Sequence, residues 1–168
     1  TGGHLFPGIA VAEELERRGH RALLLISEKK VDVEASAKYR GMDFKVVRMI
    51  AKPATFSPKM LPFLWRLWKT IRHSRVMLVG ERVDAVIGMG GFTSLPPVYA
   101  GHKLGLPTYV HDSNALPGKS NRLTGRFCTK VLLGLEAARS YFAGRETEVT
   151  GTPVRSELLE LPPKYEAL

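Results

Sequence analysis

The sequence TGGHLFPGIAVAEELERRGHRALLLIS spans residues 1–27 and indicates the class of fold. Its glycine-rich first residues are typical of a turn. Apolar residues then recur at helical spacing over residues 7–18, which predicts a helix that ends at Gly19. Residues 21–27 form a nearly continuous apolar run, as in a strand that is covered on both faces. A turn, a helix and a buried strand in this order indicate a parallel α/β sheet.

The same alternation continues along the chain. It predicts further strands over residues 44–50, 84–89, 107–111, 130–133 and 146–150, and helices over residues 31–40, 57–79, 95–104, 119–126, 136–142 and 154–161. Strands that alternate with helices predict an α/β fold with a doubly wound, Rossmann-like parallel sheet. Because no Met precedes Thr1, we expect a piece of a longer protein, with a first strand before Thr1. We expect one domain over residues 1–161 and the start of a linker over residues 162–168.

Composition narrows the classes of protein and partner. The 168 residues include 25 Lys and Arg against 16 Asp and Glu, and the formal net charge is +9. A hydrophobic content of 44% suffices for one packed core and excludes a disordered chain. The single cysteine, Cys128, excludes an internal disulfide and a cysteine-based zinc cluster. The basic surplus favours nucleic acid, an anionic membrane surface or a phosphorylated ligand as partner.

Two glycine-rich loops are candidate anion sites. In the first, Thr1, Gly2 and Gly3 precede a predicted helix, whose backbone N–H groups suit a diphosphate, and His4 beside them is a candidate general base. The alternative is that these glycines only permit a tight turn and that the histidine is structural. Neither loop has a GxGxxG pattern or a Walker lysine.

The second loop follows the strand predicted over residues 84–89. Gly90 and Gly91 let a ligand approach the backbone, and Thr93 or Ser94 either bonds a phosphate oxygen or caps the next helix. Both loops are expected at the carboxyl ends of parallel strands, where ligands bind in open α/β sheets.

Polar residues also follow two later strands. Asp112 is a candidate base and Asn114 a candidate for bonds to sugar hydroxyls, while an Asx turn is the alternative for this segment. Arg155 is a candidate partner of a diphosphate, with a solvated surface arginine as the alternative.

An apolar segment with basic neighbours is the candidate membrane contact. No Asp or Glu lies between Lys52 and Arg75. Both tryptophans of the chain lie in this segment, which favours a helix on an anionic membrane surface, while packing in the core is the alternative. Nucleic acid is a minor alternative, because no known nucleic-acid-binding pattern accompanies these charges. The candidate membrane residues are Phe63, Leu64, Trp65, Leu67 and Trp68.

Four motifs, in this order and spacing, resemble the N-terminal half of the MurG family of glycosyltransferases: TGGHLFPGIAVAEEL, GMGGFTSLPP, HDSNALPG and GTPVR. Members of this family transfer N-acetylglucosamine (GlcNAc) from UDP-GlcNAc to undecaprenyl-diphospho-N-acetylmuramoyl-pentapeptide, converting lipid I to lipid II in peptidoglycan synthesis. They have the GT-B architecture of two Rossmann-like domains. The resemblance implies that this chain is the acceptor-binding half, peripheral on the cytoplasmic face of the bacterial membrane. A C-terminal donor-binding domain is then expected outside this chain.

The resemblance also implies roles for individual residues. Thr1, Gly2 and Gly3 match the first glycine loop, which implies contact with UDP-GlcNAc and the acceptor diphosphate. His4 matches a residue proposed to act in catalysis. The positions of Asn114 and Arg155 are associated with the sugar-nucleotide site, and the tryptophan segment falls where the family has its membrane-association patch.

Two motifs depart from the family pattern. Members commonly have HEQN where this chain has HDSN, so the carboxylate of Asp112 is one methylene shorter. The second loop of the family usually reads GGYxSGP, and here Phe92 and Leu95 replace its Tyr and one Gly. These departures leave open a related lipid-directed GT-B enzyme with another sugar or acceptor. A noncatalytic basic module that binds a membrane or nucleic acid is the other alternative.

The expected reaction is an inverting glycosyl transfer with His4 or Asp112 as the base. It needs neither a metal nor another cofactor, because helix N-termini stabilise the charge of the two diphosphates. The expected partners are UDP-GlcNAc, the undecaprenyl-diphosphate-linked acceptor, an anionic membrane surface and the donor-binding domain. The chain by itself is expected to be inactive and to bind UDP-GlcNAc weakly.

Overall fold

A computed structural model describes residues 2–28, 37–39, 41–47 and 58–155 of the chain. The chain divides into two compact units, one of residues 1–47 with 153–168 and one of residues 48–152. The predicted helix over residues 31–40 lies mostly outside the described residues. Of the helix predicted over residues 154–161, only the first two residues are described, and they are not helical.

Within the described residues, the first unit contains one helix and two parallel strands. Helix α1 spans Gly2–Arg17, strand β1 spans Leu23–Ser27 and strand β2 spans Asp43–Val47. Leu23 pairs with Asp43 at one end of the ladder and Ser27 with Val47 at the other. The core of this unit consists of Leu5, Ile9 and Ile26, with Phe6, Leu24, Tyr39, Met42 and Phe44 packed against them.

Helix α1 begins at Gly2, five residues before the predicted start, so the prediction of a glycine turn at Gly2 and Gly3 is wrong. Pro7 therefore lies in the second turn, where it has no N–H to donate to the carbonyl of Gly3. Leu5 and Ile9 are both buried and lie one helical turn apart. We attribute the early start of α1 to this burial, which outweighs the low helix propensity of two glycines.

The second unit is a four-stranded parallel sheet with helices. Its strands are β3 (Val86–Gly88), β4 (Thr108–Asp112), β5 (Lys130–Leu133) and β6 (Thr147–Val149), in that order across the sheet. Its helices are α2 (Met60–Gly80), α3 (Leu95–Lys103) and α4 (Lys119–Thr124), with 3₁₀ turns at Phe92–Ser94, Gly125–Phe127 and Glu136–Phe142. All six predicted strands are thus present, and the parallel α/β class is confirmed.

The core of the second unit lies between the sheet and its helices. Val110, Val131 and Leu133 from the central strands are fully buried, and so is Val98 from α3. Because each neighbouring pair of strands is parallel, the carboxyl ends of β3 to β6 lie at one edge of the sheet. The predicted catalytic and substrate-binding residues of this unit lie at this edge: Gly90, Gly91, Asp112 and Asn114.

Candidate functional site

The carboxylate of Asp112 lies at the carboxyl edge of the sheet. It is the last residue of β4 and its exposed fraction is only 1%. Its Oδ1 accepts hydrogen bonds from the backbone N–H of Asn114 at 2.9 Å and from Asn114 Nδ2 at 3.0 Å. Its Oδ2 accepts a bond from Asn121 Nδ2 at 2.8 Å. Both oxygens of this buried carboxylate are therefore occupied by donors of the chain itself.

The segment after β4 adopts the Asx turn that was the alternative for it, because the Asp112 side chain bonds the N–H two residues on. The same carboxylate holds the Asn114 amide, whose NH2 group faces it. Since a carboxylate only accepts hydrogen bonds, this contact fixes the amide orientation and leaves Asn114 Oδ1 as an acceptor. Asn114 is exposed, so this acceptor is accessible to a ligand.

Asn121 connects the loops after β3 and β4, and the sequence did not single it out. It lies in α4, is 3% exposed, donates to Asp112 and accepts the N–H of Gly91 at 3.1 Å through its Oδ1. Its one signal in the sequence is an amide at the third position of a helix that begins directly after the HDSNALPG motif. That signal is weak, because polar residues are common in the first turn of a helix.

The loop after β3 is held in a conformation that requires glycine. Gly90 has a φ of 112° and Gly91 a φ of 74°. The Gly90 N–H bonds Ser94 Oγ at 3.2 Å, and the Ser94 hydroxyl donates back to the Gly90 carbonyl at 2.8 Å. Ser94 therefore closes the loop, and it does not cap α3 with its side chain.

The start of α3 is a poor anion site in this arrangement. The N–H of Leu95 bonds the carbonyl of Phe92, and Pro96 and Pro97 have no N–H. The N–H groups of Gly90 and Gly91 are bonded to Ser94 and Asn121. Gly90 and Gly91 therefore shape the loop and let a ligand come close to its backbone at this edge. Their N–H groups are not free to bind that ligand.

Hydrogen bonds and close packing connect the ends of β4, β5 and β6, and the residues that follow them, at the same edge. His111 is 2% exposed, and its Nε2 lies 2.9 Å from the carbonyl of Gly151, so Nε2 must carry the proton. The N–H of Gly134 donates to the backbone carbonyl of Asp112 at 2.8 Å. A Cβ on Gly134 would lie 2.8 Å from Thr152 Oγ1 and 2.9 Å from Ser113 Cα, so no larger residue fits there.

In the first unit, Thr1 lies outside the described residues, and Gly2, Gly3 and His4 form the first turn of α1. The first turn of this helix has no acidic side chain, so the partial positive charge of its N-terminus is not offset there. His4 is partly buried.

Arg155 lies in the same unit as α1 and is not a solvated surface arginine. Its Nη1 donates to the Tyr39 hydroxyl at 2.6 Å, and its guanidinium carbon lies 4.3 Å from the centre of the Phe6 ring. These two contacts fix the plane of the guanidinium beside α1. Phe6, which it contacts, lies two residues after His4 in this helix.

Helix α2 has two apolar faces. Phe63 is 6% exposed and packs on Phe92, with 5.7 Å between the ring centres. Its prediction as a membrane residue is therefore wrong, because it faces the core together with Leu78. Leu67 is partly buried.

The opposite face of α2 is exposed. Leu64, Trp65 and Trp68 keep 50%, 56% and 54% of their surface, respectively. Leu61, Val76 and Val79, which the sequence did not single out, extend the same face along the helix. Lys69 Nζ lies 3.6 Å from the centre of the Trp65 ring. None of the described helices is long and apolar enough to span a bilayer.

No described residues form a group of His, Cys, Asp and Glu that suits a metal ion. Cys128 is buried, and burial raises the pKa of its thiol to about 12. At neutral pH this thiol is therefore protonated and unsuited to act as a nucleophile or metal ligand.

Comparison with known proteins identifies close similarity to one family. The model of the glycosyltransferase family 28 N-terminal domain matches residues 1–133. A protein of Pelobacter propionicus is 35% identical over 95% of this chain, and one of Neisseria gonorrhoeae is 35% identical over 96%. Both are named UDP-N-acetylglucosamine--N-acetylmuramyl-(pentapeptide) pyrophosphoryl-undecaprenol N-acetylglucosamine transferase. The chain spans 42% and 44% of their respective lengths.

A solved structure agrees with these relatives. The crystal structure of Acinetobacter baumannii MurG matches 95% of this chain with a TM-score of 0.74 and 26% identity. The match covers 45% of that protein. It confirms the predicted Rossmann-like fold and its likeness to the N-terminal half of a GT-B protein.

Proposed function

The chain belongs to glycosyltransferase family 28, and from this membership we propose that it forms the acceptor-binding half of an inverting transferase. The reaction moves GlcNAc from UDP-GlcNAc to undecaprenyl-diphospho-N-acetylmuramoyl-pentapeptide, which converts lipid I to lipid II. One observation carries this proposal: similarity over 95% of the chain to relatives named for that transfer. Residues 1–161 form the acceptor domain and residues 162–168 begin a linker to a donor-binding half.

The proposed chemistry is a single displacement at the anomeric carbon. His4 removes the proton of the acceptor hydroxyl, whose oxygen attacks C1 of GlcNAc. The bond from C1 to the UDP oxygen breaks, and UDP leaves with the electron pair. The attack comes from the face opposite UDP, so the configuration at C1 inverts. General base catalysis of this kind contributes about 10²–10⁴ in rate.

Asp112 has a positioning role in this proposal, and His4 is the base. The carboxylate of Asp112 is buried and accepts three hydrogen bonds, two from Asn114 and one from Asn121. A base must contact the proton that it removes, and these donors occupy both carboxylate oxygens. The role of Asp112 is to orient Asn114, whose Oδ1 then accepts a bond from a sugar hydroxyl.

The diphosphate groups are bound by two features of the first unit. The N-terminus of α1, with Thr1, Gly2 and Gly3, provides backbone N–H groups and a partial positive charge. The Arg155 guanidinium provides a full charge, in an orientation fixed by Tyr39 and Phe6. In the second unit, Gly90 and Gly91 allow a ligand to approach the backbone closely. No metal is required, because these groups balance the charge of the diphosphates.

The test of substrate class is a transfer assay with a protein that joins this chain to a donor-binding half. Labelled UDP-GlcNAc is offered with lipid I, with a lipid diphosphate that carries another sugar, and with no acceptor. We expect label in the lipid fraction with lipid I only. Equal transfer to the other lipid would favour the alternative enzyme, and no transfer to any acceptor would contradict the proposal. The chain by itself is expected to transfer nothing.

We also propose that the exposed face of α2 holds the protein on the cytoplasmic surface of the bacterial membrane. Leu61, Leu64, Trp65 and Trp68 recur at helical spacing on this face, and all four are at least half exposed. Basic side chains lie beside them, and α2 contains no acidic residue. Such a face suits an interface between acyl chains and anionic headgroups.

The double variant Trp65→Ala/Trp68→Ala is expected to bind anionic vesicles at least about tenfold more weakly, because two large aromatic side chains no longer enter the lipid. Sedimentation with vesicles of phosphatidylglycerol and phosphatidylcholine measures the effect. Both side chains are half exposed, so the free energy of unfolding should change little. Phe63→Ala is the matched contrast on the core face: it should lower stability by about 3–5 kcal/mol. Unchanged vesicle binding by the tryptophan variant would contradict the proposed membrane contact.

A further inference from the structure

A second candidate site lies outside the loops of the carboxyl edge. Helix α4 and the 3₁₀ turns Gly125–Phe127 and Glu136–Phe142 line a pocket of about 410 Å³. We propose that this pocket binds a phosphate-bearing anion, a function separate from the glycosyl transfer. No lining residue takes part in the hydrogen-bond network around Asp112.

The charge of the lining points to an anion. Lys119, Arg122, Arg126 and Arg145 all line the pocket, and no acidic residue does. Two other basic residues of the same unit are paired with carboxylates: Lys130 with Glu146 and Glu148, and Arg139 with Glu136. Within the part of the chain that the structure describes, no such ion pair neutralises the four pocket residues.

Four neighbouring cations repel one another, and their repulsion raises the free energy of the folded state. A fold gains nothing from gathering them around a cavity. A bound anion with two negative charges would offset this repulsion, and arginine is the side chain that best matches phosphate oxygens.

The remaining lining suits a ligand that carries a ring or an apolar group beside its phosphate. Phe142 is 3% exposed and forms an apolar wall. Gly125 makes this wall possible, because a Cβ there would lie 3.0 Å from the Phe142 ring. Tyr141 keeps 43% of its surface, and the Arg122 guanidinium carbon lies 5.8 Å from its ring centre. The pocket thus combines a cationic rim with an aromatic side.

The shared chemistry of the ligand is a phosphate monoester or diester. It comes either from a soluble phosphorylated molecule or from the headgroup of an anionic lipid, and the experiment separates these sources.

The first arm is a titration of the isotope-labelled full chain with inorganic phosphate, followed by NMR at matched ionic strength against chloride. We expect saturable shifts of the backbone amides of residues 141–145. In Arg126→Gln/Arg145→Gln the apparent affinity should fall at least about tenfold. Both side chains are exposed, so this variant should fold, and an unchanged melting temperature checks that it does.

The second arm replaces phosphate by vesicles of phosphatidylglycerol in phosphatidylcholine and compares the same variants by sedimentation. Arg82→Gln/Lys103→Gln is the matched control, because it removes the same charge from exposed positions that lie outside both the pocket and helix α2. We expect it to retain the affinity of the pocket for inorganic phosphate.

Pocket shifts with inorganic phosphate, lost only in the pocket variant, support a site for soluble phosphates. A loss of vesicle binding larger in the pocket variant than in the control, without pocket shifts in free phosphate, supports a lipid headgroup. Equal losses in both variants, or no response to either probe, would overturn the proposal, since general positive charge would then account for all binding.

Discussion

His4→Ala is expected to lower kcat of the complete transferase by about 10²–10⁴, the range that a general base contributes. The residue lies in the first turn of α1, and alanine is a better helix former than histidine. The core of this unit depends on Leu5, Ile9 and Ile26, so the variant should retain its fold. The measurement is steady-state transfer of labelled GlcNAc at saturating concentrations of both substrates, with circular dichroism to check the fold.

The matched control is His20→Ala, which removes an exposed histidine from the same unit. It should leave kcat unchanged. Turnover by His4→Ala at the rate of the unmodified enzyme would contradict the role of His4 as base. A rise in KM with constant kcat would assign it to substrate binding instead.

Asp112→Asn is expected to lower the free energy of unfolding by about 1–3 kcal/mol and to reduce transfer. Three donors point at the carboxylate, two from Asn114 and one from Asn121. An asparagine has one oxygen and one NH2 group, so at least one donor of the chain would face another donor in a buried site. Urea denaturation measures the stability.

The control for this variant is Asp43→Asn, the same chemical change in an exposed ion pair with Arg21. Exposed ion pairs contribute about 0–1 kcal/mol, so this variant should lose little stability. If Asp112→Asn retains both full stability and full activity, the carboxylate is not the centre of the site. If it retains stability but loses activity completely, Asp112 acts as a base and its proposed positioning role is wrong.

Much of the fold follows from local patterns of the sequence. The strand predicted over residues 130–133 is β5 as observed, and the others begin or end within a few residues of the predicted bounds. Strands of a parallel sheet that are covered by helices are rich in apolar residues, and such runs stand out in the sequence. The start of α1 was predicted five residues late, because glycine propensity is a local quantity, whereas the burial of Leu5 depends on residues from β1 and β2.

The candidate site followed from local patterns only in part. The sequence indicated Asp112 and Asn114, and both lie at the carboxyl edge of the sheet as expected. It missed Asn121, because the bond from Gly91 to this side chain joins residues 30 positions apart. It placed Phe63 on the membrane face, since an apolar residue of a helix with two apolar faces carries no local sign of which face meets the core.

The sequence alone therefore established the α/β class, the order of the strands along the chain and the loops that bear the candidate residues. These properties depend on the spacing of apolar residues and on glycines near strand ends. Both can be recognised within a short stretch of consecutive residues. The packed fold was needed to show that Asp112 is a buried acceptor rather than an open base, and to show which side of α2 is exposed. Those properties depend on contacts between distant residues, because burial and hydrogen-bond partners arise only when separate strands and helices come together.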